Sequence, residues 1–243
     1  MKFFKIAVFA FVILFFACTA DQPNDNNATP QNTQQQNRIG NNYTLEEVLM
    51  GMRAWNNIRS NSEQLQLLFN NANSFNINME LFPQGNALHT YACILDGKLK
   101  FAVISEVYDN ATYHANLSNY IKIVDVVYND VSNLNQVNYP AYTYQLPTQY
   151  IQATDAINRI TMWNTNYTTW LATSLPMYQL FYIPTHSLAP QNHTVYMGLK
   201  DSENQPNVKV ADLVLKNSDS FYDTVRLQPP YRDRTKNYLL DLL

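Results

Sequence analysis

Glycine is scarce in this chain, with five among 243 residues. So little of the residue that lets backbone approach a phosphate leaves no phosphate-cradling loop, and no Gly-x-Ser-x-Gly nucleophile elbow is present. Cysteine is scarcer, with Cys18 and Cys93 alone, so a disulfide framework is excluded and the fold must rest on its own core. Only 14% of residues are charged, for a net charge of −3. The densest basic group, Arg226, Arg232, Arg234 and Lys236, shares its tail with Asp233 and reads as a solvated terminus, so no footprint for nucleic acid is expected. Histidine occurs four times, as His89, His114, His186 and His193. None has the His-x-x-x-His or His-Glu-x-x-His spacing of a metal site, and no metal or cofactor is expected. The longest apolar run, "IAVFAFVILFFA" over residues 6–17, is too short to span a bilayer as a helix.

That run has another meaning. Lys2 and Lys5 precede it and Cys18 follows it directly after the small Ala17, which suits a signal peptide of residues 1–17. The Ala17-Cys18 step resembles the cleavage box of bacterial lipoproteins, in which the cysteine is lipidated and becomes the new N-terminus. Phe15 and Phe16 depart from the leucine and small residue usual there. The resemblance implies lipid attachment, palmitate included, at Cys18, membrane partnership through that anchor and a place in the bacterial cell envelope. Thr19, rather than an aspartate, favours the outer membrane. Residues 18–42 then form a flexible tether rich in Asn and Gln, since "QPNDNNATPQNTQQQNRIGNN" cannot bury enough to offset its ordering entropy.

Beyond the tether one phrase is written twice. "YTLEEVLMGMRAW" starts a helix: Thr44 and Glu47 have capping-box spacing, Tyr43 and Val48 that of a hydrophobic staple, and Leu45, Val48, Leu49, Met52 and Trp55 recur at helical period. Ile157, Ile160, Trp163, Tyr167, Trp170 and Leu171 form a comparable stripe later. Each helix is followed by an apolar piece ending in proline, "MELFP" and "LFYIP", then His-Thr at His89 and His193, then a hairpin. The first hairpin turns at Asp96-Gly97, a strong two-residue signal, and the second across the longer "KDSENQPN". Both end on Tyr-Asp, at Asp109 and Asp223. The chain therefore reads as an α+β fold of two tandem helix-plus-β-hairpin repeats with pseudo-symmetry: residues 43–113, a connection over 114–150, residues 151–230, and a tail over 231–243. The hairpins are expected to share a sheet or to pack across one core. Residues 117–134 suit a strand by their β-branched content and a helix by their spacing, and their length favours helix.

The order apolar-Pro, "VYMGL", "KVADLVL" and "FYDT…PP", over Trp163 to Pro230, resembles a group of exported Bacteroidota proteins of unestablished function. Their tails carry cysteines around the Pro-Pro, absent here at Pro229-Pro230, and the likeness brings no catalytic residues. Asp223-Thr224-Val225 resembles the O-glycan acceptor triplet of such proteins, and chance accounts for it equally well.

Candidates for chemistry are few. His89 with Asp109, and His193 with Asp223, are weak catalytic candidates, because a carboxyl group can orient a histidine as a general base. The simpler reading makes all four strand-boundary punctuation. Cys93 lies mid-strand among apolar neighbours and reads as an inert core thiol. Seventeen tyrosines stand against an Asn-rich background. Tyr139, Tyr142 and Tyr144 crowd the connection, and Trp163, Tyr167 and Trp170 share a helix end. Stiff aromatic area beside adaptable amides is the chemistry of glycan and protein recognition. The sequence therefore points to a non-catalytic binding or envelope-structural module, with a hydrolase-type enzyme using the His/Asp pairs in a cleft as the alternative.

Overall fold

The computed structural model describes residues 38, 39, 42–82, 85–136, 139, 149–174, 176–186, 188–202, 205, 207–228 and 237–243. Cys18, the tether up to residue 37 and most of the Pro-punctuated connection lie outside them, as do Tyr142, Tyr144 and the tail over 229–236.

Helix α1 (Leu45–Ile58) begins as its sequence prescribes: Thr44 Oγ1 accepts from the Glu47 amide while the Glu47 side chain takes the Thr44 N–H. A second helix, α2 (Ser62–Phe69), capped by Asn61, ends on Asn70 in the left-handed region. Strand β1 (Ser74–Asn78) follows, and a single 3-10 turn at Met79–Leu81 leads to β2 (Ala87–Leu95) and β3 (Lys98–Ser105). Asp96 and Gly97 join β2 to β3 with φ of 53° and 69°, the positive pair a type I′ turn needs to match the twist of its strands. "MELFP" thus begins as a turn, and the strand is the preceding "SFNIN", where Phe75 and Ile77 alternate with amides.

The connection is shorter in helix than expected. Helix α3 (Leu117–Tyr120) is one turn, and strand β4 (Lys122–Asp125) follows it, pairing antiparallel with β3. The β-branched content of Ile123 and Val124 prevails over the helical spacing because β3 offers an open edge. Strand β5 (Tyr150–Ile151) precedes α4 (Ala153–Thr173), after which come β6 (Leu180–Pro184), β7 (Asn192–Asp201), β8 (Lys209–Lys216), β9 (Phe221–Tyr222), β10 (Arg226–Gln228) and the closing helix α5 (Tyr238–Asp241).

Two five-stranded antiparallel sheets result, ordered β1-β7-β8-β9-β5 and β10-β6-β2-β3-β4. Each hairpin sits in its own sheet, and the strand before each hairpin crosses to the other: β1 pairs with β7, and β6 with β2. The crossing is reciprocal. The segment after each set crosses too, since β10 pairs with β6 and Val127 bridges to Ser74 at the start of β1.

The inner faces of both sheets meet in one core, to which Leu88, Phe101, Val103, Phe181, Val195, Met197, Leu213 and Leu215 belong with Trp55, Phe69 and Trp163. The outer face of the β2–β3 sheet, with Tyr91, Cys93 and Ile104, is covered by Val48, Leu49 and Met52 of α1 and Leu239 of α5. The outer face of the β7–β8 sheet, with Tyr196 and Val214, is covered by Ala156 and Ile160 of α4. Helix–sheet–sheet–helix layering explains why β2 is buried almost end to end instead of alternating, since both of its faces are covered. Gly51 permits a close helix-to-sheet approach: a Cβ there would stand 2.8 Å from Ile94 O.

The residue-by-residue echo does not survive as one register. His89 shares its parity with Tyr91 and Cys93 on an outer face, while His193 shares that of Val195 and Met197 on an inner one. In a strand of period two, a slip of one position exchanges the faces.

Candidate functional site

The first predicted pair is real but enclosed. Asp109 lies just past β3, where the chain turns back under β2, and its Oδ2 is 2.6 Å from His89 Nδ1. Tyr91, two residues along the same face, donates its hydroxyl to the same oxygen, and the Leu239 amide donates to Oδ1 at 2.9 Å. The His89 and Asp109 side chains are 3% and 0% exposed. The ring of His89 packs against Tyr182, centroids 5.7 Å apart. Burial, with Asp109 adding to it, pushes the Tyr91 phenol well above its ordinary value. Asp109 therefore ties β2 to α5, and substrate has no approach to it.

The second pair is not brought together. His193 Nδ1 donates to Gln191 O at 3.0 Å, and its ring packs on Tyr222. Its Nε2 is buried without a partner among the described residues, and burial lowers its basicity, outweighing the bond to Gln191. Asp223 instead joins a half-buried charge quartet under α4. Arg159 donates to Asp212 and Asp223 at 2.8 Å each, and Lys200 stands 3.1 Å and 3.3 Å from the same two carboxyl groups. Burial pushes Asp212 up despite both cations. For Asp223 burial acts the same way, but Lys200 and Arg159 outweigh it and hold the group below the usual range. Two positive and two negative charges close on themselves, which holds α4 to β7 and β8.

Cys93 is buried, its Sγ donating to Lys100 O at 3.4 Å, and burial pushes the thiol up to about 12. It carries no thiolate at neutral pH. Among the described residues no group of three His, Cys, Asp or Glu side chains is placed to hold a metal, and no helix is long and apolar enough to cross a membrane. The Thr224 hydroxyl oxygen is shielded from solvent.

The described rings of the predicted aromatic surface are mostly core. Trp163 is 1% exposed, and Trp170 is buried with its indole N–H donating to Lys209 O at 2.8 Å. Tyr139 packs edge-on against Phe221. These rings fill the shared core and the α4 layer, where their large area is worth most.

One part of that stripe does line an open cleft of about 690 Å³. Buried Trp163 and Tyr167, stacked with centroids 5.8 Å apart, are part of its lining. Asn70 and Asn71 form one wall, Thr161, Asn164 and Thr165 of α4 another, and Tyr128, Asp130, Val131 and Ser132 the third. Asn70 and Asn71 take φ of 40° and 64°, a left-handed pair that asparagine tolerates better than most residues. The Tyr167 hydroxyl fixes this wall, donating to Asn71 Oδ1 at 3.2 Å and accepting from its amide at 3.3 Å.

Behind the cleft a fully buried amide, Asn73, binds three groups. Its Nδ2 donates to Asn129 O at 2.9 Å and Asn164 Oδ1 at 3.0 Å, and its Oδ1 accepts from Asn129 N at 2.8 Å. Asn164 is thereby oriented by its oxygen, leaving its two amide N–H donors without a protein partner among the described residues. Tyr128 is 65% exposed. Tyr167 was legible in the sequence as an aromatic beside asparagines. Tyr128, Asn70, Asn71 and Asn164 were not, because they come from three separated segments and share no motif.

Comparison of the chain with known protein families, curated proteins and solved structures finds no match.

Proposed function

We propose that this protein is a lipid-anchored lipoprotein of the bacterial envelope, held at the outer membrane through Cys18, whose folded part binds a ligand without catalysis in the amide-lined cleft. The observation that carries the binding reading is a contrast. The His89–Asp109 pair is sealed, while the side-chain N–H groups of Asn164 and the exposed Asn70, Asn71 and Tyr128 line an open cleft. Binding sites combine a concavity with a few fixed polar groups, and the Asn73 network supplies the fixing. A hydrolase using His89 would need an opening to Asp109, and α5 covers it.

We also propose that the two halves derive from one duplicated unit. What supports this is the reciprocal order β1-β7-β8-β9 against β6-β2-β3-β4, at the level of elements and not of matched residues.

Two measurements test the functional reading. Cells fed a fatty-acid analogue should label the wild-type chain and leave Cys18→Ala unlabelled; equal labelling removes the anchor. Thermal shift of the full-length chain against pools of envelope-derived oligosaccharides and peptides should reveal a stabilising pool whose effect is lost in Thr161→Trp, which fills the cleft from an exposed helical position. A stabilising ligand that ignores Thr161→Trp places binding elsewhere and overturns the assignment.

A further inference from the structure

Resting on that reading, we infer that the ligand of the cleft is a neutral glycan, one sugar ring of which stacks on Tyr128 while its hydroxyls bond the amides of Asn164 and the Asn70-Asn71 wall.

Charge decides the first part. Among the described residues the cleft is lined by no lysine, arginine or histidine, and the one ionisable group there besides tyrosine phenols is Asp130. Asp130 is already engaged, accepting from the Ser132 amide and hydroxyl at 2.9 Å each. These bonds hold its carboxyl below the usual range. A phosphate, sulfate or uronate would lose its hydration against a negative group, with no cation among the described lining residues in return. A ligand dense in neutral donors and acceptors meets no such cost.

Shape and hydrogen bonding decide the second. Asn164 offers two N–H donors from one oriented amide, the arrangement that spans adjacent hydroxyls. Asn70 and Asn71 are both exposed, and Thr161, Thr165 and Ser132 add hydroxyls that both donate and accept. Tyr128 presents a ring at the rim, and the apolar faces of sugars are its complement.

A peptide is disfavoured by the neighbouring backbone. An extended peptide binds most readily by adding to a free sheet edge. The edge nearest this cleft, the start of β1, is already occupied: Asn73 N and Ser74 N donate to Val127 O at 3.0 Å and 3.1 Å, and Val127 N donates to Ser74 O at 2.8 Å. Among the described residues the remaining lining has one aliphatic side chain, Val131, too little to seat alternate peptide side chains.

The test is an array of neutral oligosaccharides built from glucose, galactose, mannose and N-acetylhexosamines, with sulfated and uronate-containing counterparts and a random peptide set. The probe is the full-length chain in detergent. Binding to one or more neutral glycans is expected, insensitive to salt. Tyr128→Ala should weaken it about threefold to tenfold, and Thr161→Trp should abolish it. Tyr128 is exposed, so its variant should melt with the wild type, which separates lost contact from lost fold. Preference for the sulfated or uronate members, or neutral binding unchanged in both variants, overturns the inference. Peptide binding abolished by Thr161→Trp overturns the glycan and keeps the cleft as a binding site; silence across the whole array in a folded chain overturns both.

Discussion

At the scale of single residues, His193 shows how burial becomes pH dependence. Its pKa in the folded chain lies below the ordinary value because burial disfavours the charged ring. The unfolded chain therefore binds a proton that the folded one refuses as pH falls through the usual histidine range near 6.5, and stability falls with it. The wild type should lose more stability between about pH 7.5 and 5 than His193→Gln does, as read from denaturant midpoints at each pH; equal losses would show that His193 does not titrate in this way. Asp109 shows the cost of removing a shared acceptor. It receives Tyr91 and the Leu239 amide and faces His89, all buried, so Asp109→Ala strands these groups and should cost about 3 kcal/mol. Hydrogen exchange at the Leu239 amide should accelerate by more than the global loss explains, because that amide loses its acceptor directly. A change confined to global stability would remove the tie to α5.

At the scale of elements, the helix start is the firmest link between sequence and structure. Thr44→Ala removes the acceptor of the Glu47 amide and should lower stability by about 1 kcal/mol. Gly51→Ala should cost more, despite alanine's better helix propensity, because its Cβ would stand 2.8 Å from Ile94 O. Urea midpoints for both variants check that order, and a stabilising Gly51→Ala would refute the close approach. What was legible here was local. The capping box, the Asp96-Gly97 turn and the strands of both hairpins are written in adjacent residues. What stayed hidden was decided by partners elsewhere in the chain. "SFNIN" becomes β1 because β7 receives it, "KIVD" becomes β4 because β3 has an open edge, and Trp163 and Trp170 turn inward because two sheets meet beside them. The same holds for the cleft. Tyr128, Asn71 and Asn164 are unremarkable letters until α2, the segment after β4 and α4 converge on buried Asn73.

At the scale of the whole molecule, the crossed strands make the halves mutually dependent. Residues 36–148 alone would present β2 without β6, and residues 149–243 alone would present β7 without β1. Each piece, expressed separately, should lack a cooperative thermal transition by circular dichroism. Mixed in equal amounts, the two should regain one, since the sheets close only when both are present. Independent melting of either half would show that the exchange is dispensable.

The crossing also sets the order in which the chain can finish. The β2–β3 hairpin closes over a two-residue turn, but β1, made before it, waits for a partner that begins at Asn192, and β2 keeps one edge open until Leu180 arrives. Pairings between residues so far apart in sequence are slow to form, and the waiting edges are the places where unfinished chains stick to one another. The first strand synthesised is thus among the last secured, and a molecule interrupted midway holds one hairpin and no closed sheet.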